Sequence, residues 1–227
     1  MKKLGLVMAA VVLLPLAANA QPAMSNSKHD LSQNSTSTGP RTTDAVTRVC
    51  VFCHVPHNAS TTTNGIWNRT NPTATFTTWG AGSPTIGGTT LPGGMTVGGG
   101  SIRCFSCHDG TTALGGLLNS PTGAALNMNA TLGATYTIDR TDMAGNHPVS
   151  VAYPGETNAY LSTTSRADTA GYETVAQAIT NGMRLYNDGD AYGIECGSCH
   201  EPHDTTNVFF LRDTLDNSTL CVNCHAK

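Results

Sequence analysis

Cys196-Gly197-Ser198-Cys199-His200-Glu201-Pro202-His203 is the stretch on which the reading of this 227-residue chain turns. Two cysteines separated by two residues, with a histidine directly after the second, make up the attachment sequence for a c-type haem. Two thiols at that spacing reach the two vinyl groups of one porphyrin, and the adjacent histidine is set under the iron as proximal ligand. The pattern occurs three more times, as Cys50-Val51-Phe52-Cys53-His54, Cys104-Phe105-Ser106-Cys107-His108 and Cys221-Val222-Asn223-Cys224-His225. Together the four motifs use all eight cysteines. In an exported chain, eight cysteines would ordinarily suggest four disulfides, and Cys-x-x-Cys knuckles would suggest zinc. Neither needs a histidine after every second cysteine. The expected cofactors are four covalently bound haem c groups, with His54, His108, His200 and His225 as proximal iron ligands.

Working outward, the eight histidines leave four unassigned: His29, His57, His147 and His203. Their number equals that of the open sixth positions on four irons, so they are the candidate distal ligands. His54-Val55-Pro56-His57 repeats the His-x-Pro-His ending of the first-quoted block. A histidine three residues beyond a proximal ligand lies on the proximal side of its own porphyrin, so it should ligate a different haem. On chain order, His203 is expected at the haem of Cys221 and Cys224, and His57 at the second haem or in a neighbouring molecule. Pro148 biases His147 toward extended backbone. A metal on His29 would give the polar N-terminal arm a reason to be ordered. Met24, Met95, Met128, Met143 and Met183 are rival ligands, but none recurs at a fixed offset from a motif. Bis-histidine ligation closes every iron, which suits electron transfer rather than substrate turnover and points to the lower haem potentials.

Composition agrees with a chain organised by something other than side chains. Aromatic residues make up 6% and charged residues 12%, the latter about half the usual share. Thr, Gly and Pro exceed a quarter of the chain. Four flat apolar porphyrins would replace a conventional core, so the haem-free polypeptide is not expected to fold. The net charge of −3 leaves no basic footprint for nucleic acid. Lys2 and Lys3, the apolar run Leu4 to Leu16 and Ala18-Asn19-Ala20 read as a signal peptide over 1–20. Residues 21–227 then form a single tetrahaem domain without a membrane span. The expected fold is a multihaem cytochrome c: mostly loops and turns with few short helices around a chain of four haems, and little or no sheet. The polar segment 21–49 and the Gly/Thr-rich segment 80–100 read as loop. The Asp109-Gly110 pair reads as a turn. One longer helix is expected over 169–186, capped by Asp168, carrying Val175, Ile179 and Met183 on one face and stopped at Asn187-Asp188-Gly189. Short helical turns should carry the CxxCH segments, Trp67 and Trp79 should pack against porphyrin, and the acidic residues show no paired arrangement.

Several blocks occur in a telling order: Lys28-His29-Asp30-Leu31, CxxCH-x-Pro-His at 50–57, Ile66-Trp67-Asn68, Cys104 to Gly110, Asn146-His147-Pro148-Val149, CxxCH-x-Pro-His at 196–203, Phe210-Leu211-Arg212 and CxxCH at 221–225. In this the chain resembles the tetrahaem extracellular cytochromes of the OmcE type, which polymerise into haem-lined filaments. The resemblance implies closely stacked bis-His haems and head-to-tail self-assembly, with a histidine of one subunit ligating a haem of the next. By motif position His57 is the first candidate for that role and His29 the second. It further implies envelope cytochromes as electron donors and extracellular acceptors such as metal oxides, in the extracellular space or at the cell surface. A monomeric periplasmic electron shuttle is the alternative, although only Lys28 and Lys227 remain for lysine-based docking after signal removal. A multihaem reductase would need an open iron, which no motif here signals.

Overall fold

A computed structural model describes residues 24–63, 65–72, 76, 97, 99–140, 143–155, 171–187 and 192–226. The expected leader, Trp79, Asp168 and most of the 80–100 segment lie outside these residues. Regular elements are short. They comprise a 3-10 turn Val49–Phe52, helix α1 Gly99–His108, 3-10 turns Ala134–Tyr136 and Met143–Gly145, strand β1 Val151–Ala152 and helix α2 Val175–Thr180. Strands β2 Tyr186–Asn187 and β3 Tyr192–Ile194 follow, then helix α3 Cys196–Cys199, 3-10 turns Val208–Phe210 and Asp216–Ser218, and helix α4 Thr219–Val222. Four of these twelve elements carry the CxxCH motifs, as expected of turns built to present two thiols.

Two small apolar clusters hold the described chain. Val46, Phe52 and Leu126 form one, with Leu31, Val51, Leu117, Met128 and Cys53 against it. Tyr153, Ala178, Met183, Leu185, Leu211 and Leu220 form the other, flanked by Cys199 and Cys224. Each of these clusters has motif cysteines at its edge, so its packing positions haem attachment points. The N-terminal arm is tied down by backbone pairing: Thr42 N–H donates to Leu31 O (2.8 Å), Gln33 N–H to Val46 O (2.9 Å) and Thr43 N–H to Asn127 O (2.8 Å). Asp109 accepts hydrogen bonds from the backbone N–H and hydroxyl of both Thr111 and Thr112, which makes the turn expected after the second motif.

Three points differ from the sequence reading. A three-stranded antiparallel sheet is present, in the order β1-β3-β2, with Val151 opposite Ile194 and Tyr186 opposite Gly193. Its central strand runs directly into Glu195 and α3, so it aims the third motif. The helix near 175 is six residues long rather than eighteen. Thr174 caps it, its hydroxyl accepting from Gln177 N–H while the Gln177 side chain returns to Thr174 N–H, a capping box. The helix stops at Asn181-Gly182, where Gly182 takes φ +96°, and Met183 re-enters the core from the following loop. It turns inward through buried Ala178 with half-buried Val175 beside it, and Ile179 is exposed. Finally, the glycine run ends earlier than expected, because Gly99 and Gly100 already belong to α1. Gly100 is buried where α1 crosses α3, and a Cβ there would press on the Glu195 side chain.

Candidate haem-binding site

In each motif the backbone makes one helical turn. His54 N–H donates to Cys50 O at 2.8 Å, His200 N–H to Cys196 O at 3.0 Å and His225 N–H to Cys221 O at 2.9 Å. That turn stacks the histidine over the first cysteine of its own motif, the i,i+4 relation. Tyr153, fully buried, fixes the fourth motif by donating its hydroxyl to Cys224 O (3.3 Å) and Glu173 O (2.9 Å).

Three proximal histidines are oriented the same way. His54 Nδ1 donates to Gly65 O at 2.9 Å, His108 Nδ1 to Tyr136 O at 2.6 Å and His200 Nδ1 to Phe209 O at 2.8 Å. A carbonyl only accepts, so Nδ1 carries the proton and Nε2 keeps its lone pair for a metal. Two of these carbonyls sit beside strained backbone. Ile66 has φ +50°, and Phe209 and Phe210 have φ +56° and +58°. A β-branched or aromatic residue in the left-handed region costs energy and persists only where the surroundings enforce it. Here the bend turns a carbonyl onto a histidine.

The surrounding segments form an internal repeat. Val55 N–H donates to Ile66 O and Asn68 N–H to Cys53 O in the first block; Glu201 N–H donates to Phe210 O and Arg212 N–H to Cys199 O in the second. The side chains of Asn68 and Arg212 then bond the residue after the first cysteine, Asn68 Nδ2 to Val51 O (2.7 Å) and Arg212 Nε to Gly197 O (2.8 Å). Arg69 extends the first copy. It is fully buried and donates to Phe52 O, Ser106 O, Ala113 O and Leu114 O, so one guanidinium ties the first motif to the second. Trp67 lies edge-on to His54 at 5.7 Å and donates to Ser106 Oγ, a packing role beside the first motif.

Facing histidines come from remote segments. Ring centroids of His29 and His108 are 6.1 Å apart, those of His54 and His203 6.1 Å, and those of His147 and His225 6.4 Å. Two imidazoles on opposite sides of one metal, with bonds of about 2.0 Å, place their centroids about 6 Å apart. The residues present thus fit a haem iron between each of these pairs. His203 faces His54 and not the fourth motif, whose His225 faces His147 instead. Chain proximity was a poor guide because the turn at 201–204 sends His203 back toward the first block. His29 stacks on Phe210 at 4.3 Å, and burial, then the neighbouring His108, lowers its pKa to about 4, keeping it in the neutral, ligating form. His57 is exposed, and neither it nor His200 enters a facing pair.

The thiols of successive motifs are neighbours. Cys53 lies within electrostatic reach of Cys107, Cys104 shares a hydrogen bond with Cys196, and Cys199 lies within reach of Cys224 and Cys221. α1 and α3, which carry the second and third motifs, pack directly together. None of the eight cysteines is in a disulfide. Burial pushes the Cys53 thiol up to about 12 and the Cys199 thiol up to about 11. Among the described residues no three metal-ligating side chains converge on one point. The sequence reading gave no role at the haem sites to Arg69, Asn68, Arg212 or any acidic residue. Glu195 is fully buried and accepts from the Ser101 and Ser150 hydroxyls, joining α1, the approach to β1 and α3. Position next to a CxxCH motif was the only sign of it in the sequence.

A search of curated proteins finds no match to this chain. The family described as the doubled CXXCH motif matches residues 190–227, the third and fourth motifs. That match and the geometry around it lead to the same conclusion: these motifs bind haem c covalently, and the chain is similar to multihaem c-type cytochromes, which transfer electrons.

Proposed function

We propose that this chain conducts electrons through four haem c groups in series, each iron held between two histidines, as the repeating subunit of an extracellular polymer. The observation that carries the reading is that thiols of successive motifs lie near one another, with Cys104 hydrogen-bonded to Cys196 and the Cys53/Cys107 and Cys199/Cys224 pairs within electrostatic reach. When bound, haem c supplies a one-electron iron couple. The chain's own part is to fix each attachment turn, present Nε2 of each histidine, and hold neighbouring attachment sites in contact so that electrons pass over short gaps.

Three facing pairs account for His29 with His108, His54 with His203 and His147 with His225 as ligand sets. His57 and His200 remain. His57 of one copy ligating the iron over His200 of the next would complete a fourth pair and continue the series from subunit to subunit. His29, the other candidate for that role, is engaged within its own chain. The large exposed side chains of Ile66, Val208 and Phe209 suit a contact surface. Export is part of the reading, with an envelope cytochrome as donor and an extracellular oxidant such as a metal oxide as acceptor. No helix among the described residues is long and apolar enough to cross a membrane.

Electron microscopy of the native haem-loaded protein, with its size-exclusion profile, tests this. Regular filaments with four haems per repeat are expected. His57→Ala should abolish them while each chain keeps four haems by mass. A monomer with four six-coordinate haems would sink the polymer and leave a diffusing periplasmic shuttle.

A further inference from the structure

Among the positions at which the two His-x-Pro-His blocks differ, one pair exchanges uncharged side chains for charged ones. Where the first has Val55 and Asn68, the second has Glu201 and Arg212. Arg212 Nη2 lies 2.9 Å from Glu201 Oε2, while its Nε is anchored on Gly197 O at 2.8 Å. This turns the other oxygen, Glu201 Oε1, onto His203, which donates from Nδ1 at 3.1 Å and from its backbone N–H at 3.3 Å. The turn closes with Asp204 N–H on Glu201 O at 2.9 Å. By contrast, Nδ1 of His54, His108, His147 and His200 each donates to a neutral backbone carbonyl.

We propose that Glu201 is a positioning and tuning residue for His203, and through it for the haem held between His54 and His203. The proposal rests on the four-haem reading above. A carboxylate draws the Nδ1 proton more strongly than a carbonyl does, which gives the imidazole partial imidazolate character and makes Nε2 a stronger donor. A stronger donor favours the oxidised iron, so this haem has a lower potential than Val55 in the same place would permit. The carboxylate also fixes the tautomer, so His203 is presented to the metal ready to bind. Because Glu201 directly follows His200, the residue that tunes the first haem is carried by the attachment block of the third.

The test is a redox titration of the native haem-loaded protein beside Glu201→Gln and Glu201→Asp, followed by optical and electron paramagnetic resonance spectroscopy. Haem number is first counted by mass, and fewer than four haems in the native protein would refute the underlying reading instead. With four present, Glu201→Gln should raise one midpoint potential, leave the other three in place and alter one low-spin signal, and Glu201→Asp should restore both. In the native protein, without any substitution, one low-spin signal should show a narrower g spread than the rest. Unchanged potentials in Glu201→Gln, or four native signals with the same spread, would overturn the role given to Glu201.

Discussion

Arg69 illustrates what single residues contribute here. Its charge is buried without solvent, and its donors serve carbonyls of the first motif, the second motif and the 113–114 loop. Replacing it with Met would strand those acceptors, so denaturant titration of Arg69→Met should show a loss of about 3 kcal/mol. Gly197 is constrained from the opposite direction, since a Cβ there would collide with the Tyr186 hydroxyl. Gly197→Ala should cost about 1–3 kcal/mol by the same assay, as overpacking does. The CxxCH motifs stand out in the sequence because their spacing is set by one porphyrin, and the doubled-motif match covers the last two of them. Arg69, Asn68 and Glu201 do not, because their partners are backbone atoms or side chains that only the fold brings near.

At the scale of elements, the attachment turns were readable and the helix near 175 was misjudged in length. Periodicity picked Val175, Ile179 and Met183 as one face, but the chain leaves the helix before Met183 and reaches the core by a glycine turn. The Thr174 to Gln177 capping box was present in the sequence and marks the true start more sharply than Asp168 does. Thr174→Ala should destabilise the haem-loaded protein by about 1 kcal/mol, seen as a lower thermal midpoint. Thr174→Ser should retain most of the native value. The effect should extend to the fourth motif, because Ala178 and Met183 pack in the cluster that flanks Cys224. The small sheet escaped notice because strands of two or three residues leave too little alternation to detect. Its β3 nonetheless decides where Cys196 begins.

At the scale of the whole molecule, the buried apolar side chains among the described residues gather in small clusters, such as the three of Val46, Phe52 and Leu126 and the six around Tyr153. The haem-free polypeptide should therefore show no sharp thermal unfolding, whereas the haem-loaded form should unfold cooperatively; calorimetry of both distinguishes the two. The scarcity of aromatic residues points the same way, whereas the pairing of histidines was not legible, since nothing local relates position 54 to 203 or 29 to 108. The arcs drawn by those pairs interlace. The 29–108 closure begins before the 54–203 closure and ends inside it, and the 147–225 closure begins inside 54–203 and ends beyond it. Interlocked closures cannot be undone by peeling the chain from either end, because each loop is straddled by another. With an iron held in each pair, as proposed above, escape from the native state would require several iron bonds to open together, so this protein should persist by the slowness of its unravelling more than by depth of equilibrium stability.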